Sequence, residues 1–387
     1  MGFDLSAFVR SQIKKVAIDD GSGNAVLCYT DGSKTIEGIR RSIIQVGKES
    51  YGGNGTSPNS WQLPDGSVFT VSLKSQGRQS TASKKWQFCP ENLVLNIDTL
   101  AGIEDLTGMP IILGSTLPTE MYYNGDKVNT DNIANKTKNL MRQIENLSGE
   151  RAMPNIIGIQ IFPEAIPAYY SVAFDENGYR EGFTPKANSS EVIVADIGRF
   201  TIDVARLTVS TESITTGDSD LLTVEGVAVE NTVTHFRHLL TENADKIGIS
   251  DASAFSDDQL DEAISTGLLN DDFDVREEAA AARAHLATNT ITAIHRLANT
   301  GLDGISHLVV VGGGANWIGD HARGEVEGGR AWVSMKRLHI PEQPEYAIAR
   351  GINRLMDYQE DDLLEKFAPD VLKREAQAVA PEAEAQD

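Results

Sequence analysis

Two distant stretches of the chain are built alike, and that likeness limits the folds open to it. KKVAIDD (14–20) is an apolar strand ending in acid, followed by Gly21-Ser22-Gly23-Asn24 and a second apolar run, AVLCYT. EVIVADIGRFTIDVARLTV (191–209) repeats the pattern, so Asp19-Asp20-Gly21 recurs as Asp196-Ile197-Gly198. Strand, Gly-rich turn and strand read as a β-hairpin. Two copies of one strand–Asp–x–Gly–strand unit predict an internally duplicated α/β protein, each half contributing one hairpin. Two copies are too few for a solenoid.

The length of 387 residues suits two domains or one two-lobed unit. From Asp31 to about Leu106 the chain is rich in Gly, Ser, Thr, Asn and Gln, which favours short strands and loops over long helices. MPIILGSTLP (109–118) reads as a buried strand. A helix opens near Asn129-Thr130-Asp131, with Thr130 or Asp131 as its cap and Ile133, Leu140, Met141 and Ile144 on one buried face. NIIGIQIF (155–162) is a further strand before Pro163-Glu164. Residues 230–298 read as helices broken by acidic loops, and VREEAAAARAHLATNTITAIHRLA is the longest candidate. The strand HLVVV (307–311) runs into Gly312-Gly313-Gly314, with a helix from about Ala315. Most of the Ala/Glu-rich end from about Phe367 reads as disordered or as a frayed helix.

A Gly-rich turn between strands exposes backbone N–H groups on one side, a cradle for phosphate oxygens. An Asp just before such a turn suits a Mg²⁺ ion that keeps several waters and takes one or two carboxylates. Two such hairpins would grip a polyphosphate from both sides. The third turn, after HLVVV, would let a purine and ribose lie close to backbone. Each turn alone reads equally as an ordinary Asp-stabilised turn; it is the three together that point to a nucleotide.

At this point a family resemblance enters. VAIDDGSGN (16–24), VIVADIGRFTID (192–203) and LVVVGGGANWI (308–318) resemble the first phosphate, second phosphate and adenosine motifs of the actin-like ATPase superfamily, which also holds sugar kinases and heat-shock chaperone ATPases. Within it the chain is similar to the bacterial ParM/StbA plasmid-segregation actins. Thr116-Leu117-Pro118 with Tyr122-Tyr123, NTDNIANK (129–136) and FPEAIPAYY (162–170) carry that likeness, with weaker matches at TGDSDLL (216–222) and YAIARGI (346–352). It spans residues 16 to 356, poorly at 40–105 and 235–285.

The resemblance implies an α/β, actin-like fold: two duplicated lobes, ribonuclease-H-like sheets flanked by helices, around a central nucleotide cleft. Lobe I would cover 1–190 with a small subdomain at 32–106, and lobe II 191–345 with a helical subdomain at 232–285. A helix at 346–366 would return to lobe I before a tail at 367–387. The implied ligands are ATP or GTP and Mg²⁺. Nucleotide contacts would come from Asp19, Gly21, Ser22, Gly23, Asn24, Gly198, Arg199, Thr201, Gly217, Asp218, Gly312, Gly313, Gly314 and Ala315. Asp19 and Asp196 would hold the Mg²⁺ ion through its water. Asp196 and Glu164 would be catalytic, Glu164 orienting the attacking water; read without the resemblance, Glu164 is a helix-start carboxylate favoured by the dipole.

The chain also departs from the family pattern. Arg199 stands where the second turn usually carries another glycine, and Arg does not take φ > 0 as cheaply as Gly. Val26 stands where ParM-like chains place a Lys that reaches the phosphates. The Arg199 guanidinium either serves a phosphate in place of that cation, makes a lobe contact, or lies exposed at a loop tip. Asp203, within a strand, is as well placed to bond neighbouring backbone as to reach the site. His235 and His238 have a metal-compatible spacing but no third ligand nearby, and read as surface or packing histidines.

The implied function is an ATP-dependent filament that segregates plasmid DNA through a DNA-binding adaptor of ParR type. The alternatives are a sugar- or acetate-type kinase on the same fold, or a filament with another positioning role. A chaperone ATPase would need a substrate-binding region after residue 366. The 34 Lys+Arg and 56 Asp+Glu give a formal net charge of −22, which argues against direct DNA or anionic-membrane binding and suits an adaptor. Cys28 and Cys89 match no disulfide framework or zinc spacing. With no membrane-length apolar run and no signal-peptide pattern, a bacterial cytoplasmic location is expected.

Overall fold

The computed structural model describes residues 10–51, 55–72, 81–83, 85–175, 178–185, 190–298 and 301–373. The chain forms two compact units: Met1–Leu117 with Asn129–Pro163 and Ala349–Asp387, and Pro118–Val128 with Glu164–Ile348. Apart from the excursion at Pro118–Val128, the chain passes from the first unit to the second at the Pro163–Glu164 peptide, earlier than the expected residue 190.

The first unit is built on a five-stranded sheet of β1 (Lys14–Asp20), β2 (Asn24–Asp31), β3 (Lys34–Arg41), β4 (Pro110–Leu117) and β5 (Asn155–Pro163), in the order β5-β4-β1-β2-β3. β1–β2 and β2–β3 are antiparallel; β1–β4 and β4–β5 are parallel. Parallel strands are covered on both faces, and β4 is accordingly buried from Ile111 to Leu117. The 12-residue α1 (Pro90–Ala101) adds Leu93, Val94, Leu95 and Ile97 to this core. It lies in a stretch whose composition suggested strands and loops. Its local signals are Pro90 at the first helical position and Glu91 in the first turn. The short strands Ile44–Val46, Ser60–Gln62 and Val68–Val71 do form, pairing with Glu145–Asn146 in a separate four-stranded sheet.

α2 (Thr130–Leu140) starts where expected, but Asn129 caps it, accepting from the Asn132 N–H at 3.2 Å. Of the predicted face, Leu140 and Ile144 are buried and Ile133 is half-buried, but the helix ends at Leu140, Met141 is 41% exposed, and Lys136 and Asn139 are buried as well.

The second unit repeats the topology with β6 (Ser190–Ile197), β7 (Thr201–Val209), β8 (Leu221–Glu225), β9 (His307–Val311) and β10 (Leu338–His339). The path is β8-β7-β6-β9-β10, antiparallel through β8-β7-β6 and parallel through β6-β9-β10. The duplication read from the two hairpins extends to whole sheets. α3 (Ala165–Ala173) packs on β6 and β9, which places it in this unit. The expected helical region resolves into α4 (Val229–Glu242), α5 (Asp257–Thr266) and α6 (Arg276–Leu297), which pack on one another and, through α6, on β6 and β7. α7 (Ala315–Arg323) follows β9.

α8 (Ala347–Tyr358) and α9 (Glu360–Phe367) complete the first unit. Two glycines admit them to its sheet. A Cβ at Gly114 on β4 would sit 2.4 Å from Met356 Sδ, and one at Gly158 on β5 would sit 2.3 Å from the Phe367 ring. Residues 369–373 are helical, in keeping with the frayed-helix alternative for the tail; the remainder, 374–387, lies outside the described residues.

At the β9–β10 pair, His307 Nδ1 and His339 Nε2 are 3.0 Å apart, with the Phe183 ring 4.4 Å from each imidazole. Burial, and then the neighbouring His307, lower the His339 pKa to about 4 from 6.5. The native state thus binds fewer protons than the unfolded chain between those values. Its contribution to stability is complete above pH 6.5 and is lost as pH falls toward 4, at up to about 1.4 kcal/mol per pH unit. His339→Gln should flatten the acid limb of a urea-midpoint-against-pH curve. An unchanged slope would show that the ring takes up its proton in the folded state.

Candidate functional site

In the first unit, β1 ends at the first turn, and the strand pleat sends its last two carboxylates to opposite sides. Asp20 is fully buried and Asp19 is partly exposed. Asp20 accepts hydrogen bonds from Lys136 Nζ (2.5 Å), Asn92 Nδ2 (2.9 Å), Asn96 Nδ2 (2.8 Å) and Ser115 Oγ (3.3 Å). Lys136, also fully buried, donates in addition to Gln87 Oε1 and to Asn92 Oδ1 at 3.0 Å. An ammonium has three donors, so this lysine is fully engaged under the turn and does not supply the cation missing at Val26. Asp19 accepts from Thr116 Oγ1 at 3.4 Å.

The turn itself is fixed by its carbonyls. Asp20 O accepts from Trp86 Nε1 (2.9 Å), Gly21 O from Ser42 Oγ (2.7 Å), Ser22 O from Thr81 Oγ1 (2.6 Å) and Gly23 O from the Ser42 N–H (3.0 Å). In a trans peptide the C=O and the following N–H point in opposite directions. Tying the carbonyls of Asp20, Gly21 and Ser22 to the protein therefore turns the N–H groups of Gly21, Ser22 and Gly23 the other way, the geometry of an anion-binding concavity. Asn24 begins β2 and pairs with Arg41.

In the second unit the turn after β6 is held in the same manner. Ile197 O accepts from the Gly314 N–H (3.0 Å), Gly198 O from the Val229 N–H (3.4 Å) and Arg199 O from the Glu230 N–H (2.8 Å), while the Gly198 N–H closes the turn on Thr201 O (3.0 Å). The third turn packs on this one. A Cβ at Gly312, whose φ is +82°, would lie 2.2 Å from Asp196 Oδ1, and a Cβ at Gly314 would lie 2.3 Å from Ile197 Cγ2; beside Gly313 there is open space. Glycine is required at 312 by both conformation and contact. Ala315 is buried at the start of α7. Asp196, Gly198 and Gly312–Gly314 are thus brought together in one unit.

Asp196 lies opposite Asp203 in the β6–β7 pair. Burial, and then the Asp203 charge, push its pKa up to about 7. Asp203 accepts from Thr201 Oγ1 (2.6 Å) and Thr223 Oγ1 (2.5 Å), so it does bond its neighbours.

Arg199 is not an exposed loop-tip residue: its side chain is 13% exposed and its guanidinium bonds Glu230 and Asp261, both at 2.7 Å. Gly217 and Asp218 are not brought to the turns. They lie alongside β7 near Arg206, whose carbonyl accepts from Thr216 Oγ1 at 2.9 Å and whose Nε donates to Asp220 at 2.8 Å; there Asp218 Oδ2 accepts from the Gly125 N–H at 2.8 Å and Gly217 faces Asp126. Glu164 is the N-cap residue of α3, partly exposed, with its carbonyl accepting from the Ala168 N–H. His238 pairs with Glu242 in the exposed i,i+4 geometry and His235 stacks on His285. Among the described residues no group of three or more His, Cys, Asp or Glu side chains is arranged to hold a metal. Asp19 and Asp196 belong to different units.

Ser42, Thr81 and Trp86 lie outside the quoted motifs, and nothing within NTDNIANK marks Lys136 as a buried residue. Their importance appears only once their partners in the first turn are known.

Residues 14–175 match the family model described as plasmid segregation protein ParM, N-terminal. No curated protein matches the chain at a significant level. Among solved structures, a 15-stranded ParM filament from Clostridium botulinum superposes with a TM-score of 0.66 at 18% identity, covering 89% of this chain and 99% of that one. Ta0583, an archaeal actin homolog in complex with ADP, gives a TM-score of 0.64 at 17% identity over the same shares. The actin-like protein Alp7A gives 0.64 at 14% identity, over 97% of this chain and all of its own. The fold is that of the actin-like proteins. Within that class, residues 14–175 carry the likeness to plasmid segregation protein ParM.

Proposed function

We propose that this chain is an ATPase whose nucleotide state governs its assembly into polar filaments, and that the filaments segregate plasmid DNA through a DNA-binding adaptor. The observation that carries the reading is the tethering of both hairpin turns. In each, successive carbonyls are bonded into the protein, leaving peptide N–H groups to receive phosphate oxygens. The Gly312–Gly314 turn, packed against Asp196, supplies backbone close to the second of these sites.

The carboxylates suit Mg²⁺. Asp196 is pushed toward protonation by burial and by Asp203, a conflict that a hard cation relieves. Asp196, beside the second turn, would hold the ion through its waters, and when bound it would neutralise phosphate charge. The protein's own part is to fix the phosphates by backbone N–H groups and to orient a water through Glu164. Phosphoryl transfer depends mainly on such positioning. Adaptor-mediated attachment agrees with a net charge of −22, which disfavours direct contact with DNA phosphates.

The test is a paired measurement of phosphate release and sedimentation. With ATP and magnesium the protein should hydrolyse nucleotide and pellet above a critical concentration, and EDTA should abolish both. Phosphate transfer to a small alcohol without polymer would replace this reading with that of a metabolic kinase.

A further inference from the structure

Arg199 sits in a hairpin turn, where a long charged side chain ordinarily extends into water. Here its guanidinium is laid against two helices. Nε donates to Glu230 Oε2 of α4 and Nη1 to Asp261 Oδ2 of α5, both at 2.7 Å, and Nη2 stands 3.7 Å from Asp257 Oδ2 of α5. Asp257 is also held by Arg237 of α4 at 2.8 Å, and Arg237 Nη1 donates to the carbonyls of Ala252 and Phe255 just ahead of α5. The main chain runs the same way, with Gly198 O and Arg199 O receiving the first N–H groups of α4. Burial opposes the Arg199 charge, but Asp261 and Glu230 more than offset it, so the side chain is held firmly cationic.

A guanidinium forks rigidly and engages two carboxylates at set angles, as an ammonium does not. Its bonds to Glu230 and Asp261 make it a strut between the turn and the helices. We propose that Arg199 is a positioning residue that couples phosphate occupancy of the second turn to the packing of α5. This inference rests on the reading of that turn as a phosphate site. An anion drawn onto the turn's N–H groups shifts the Arg199 main chain, and the guanidinium carries that shift to Glu230 and Asp261. By linkage, displacing α5 alters affinity at the turn by the same factor.

Hydrogen exchange of the α5 amides, 257–266, measured on the full chain with and without ATP and magnesium, tests the coupling alongside nucleotide affinity. In the wild type, ATP should slow α5 exchange by about 5-fold or more, the lower end of typical couplings. Asp261→Asn leaves the turn's main chain untouched. It should remove that response while weakening affinity less than about tenfold, a modest coupling on the same scale. Arg199→Gly should also remove the response and should speed α5 exchange in the nucleotide-free protein; Arg199→Lys should restore only part of either. A full ATP response of α5 in Arg199→Gly would overturn the proposal. So would an affinity loss of about 100-fold or more with that response intact, which would make Arg199 a phosphate ligand. If the wild type binds no nucleotide, the phosphate-site reading fails and the coupling with it, whereas binding without any α5 response overturns the coupling alone.

Discussion

Glu164→Ala should bind ATP with near-normal affinity and still assemble, while turnover falls by about 10²-fold or more, the lower range for losing a general acid–base group. The side chain projects from the N-cap position of α3, where the backbone is already helical at φ −50° and ψ −39°. Pro163 precedes it, Pro167 lies within the helix, and Thr119 Oγ1 accepts from the next N–H, that of Ala165, at 3.1 Å. Removing the carboxylate therefore leaves its support standing. Orientation of a water is enough to contribute, without full proton abstraction. If hydrolysis drives disassembly, polymers of the variant should outlast those of the wild type in a light-scattering decay. Turnover at the wild-type rate would reduce Glu164 to a helix-start carboxylate.

Lys136→Met should be the most damaging single change to the first unit. It removes the cation from a carboxylate that has no exposure, and breaking one side of a buried pair costs about 3–5 kcal/mol. Asp20 keeps Asn92, Asn96 and Ser115 as donors, but no compensating charge. Adding Asp20→Asn to that variant should recover a substantial part of the loss, because the unpaired charge is then gone. Urea unfolding of the single and double variants provides the comparison. A loss below about 1 kcal/mol, the scale of one ordinary hydrogen bond, would show that the amides alone sustain Asp20.

The two hairpins and the Gly312–Gly314 turn were legible in the sequence because their requirements are local: apolar strand residues, then residues tolerant of a tight turn. The repeated topology of the two sheets follows from them. Lys136 was not legible. Helical periodicity treats a lysine as a solvent-facing residue, and only Asp20, 116 positions away in sequence, makes its burial favourable. α1 was hidden by the composition around it, although Pro90 and Glu91 mark its start. For Arg199, the sequence left open a phosphate ligand, a lobe contact or a loop tip; the choice among them lay in Glu230 and Asp261, whose proximity depends on how α4 and α5 pack.

The tethering of the first turn means that its recognition motif is not portable. A graft of residues 16–24 onto another hairpin would transfer every letter of VAIDDGSGN and none of Ser42, Thr81 or Trp86. Without those anchors the carbonyls are free to rotate outward and oppose an anion with their own partial negative charge. Tolerance to substitution should accordingly be inverted from what the motif suggests. Ser22, whose part is played by its backbone, should accept replacement more readily than Ser42, whose hydroxyl holds the Gly21 carbonyl from outside the motif.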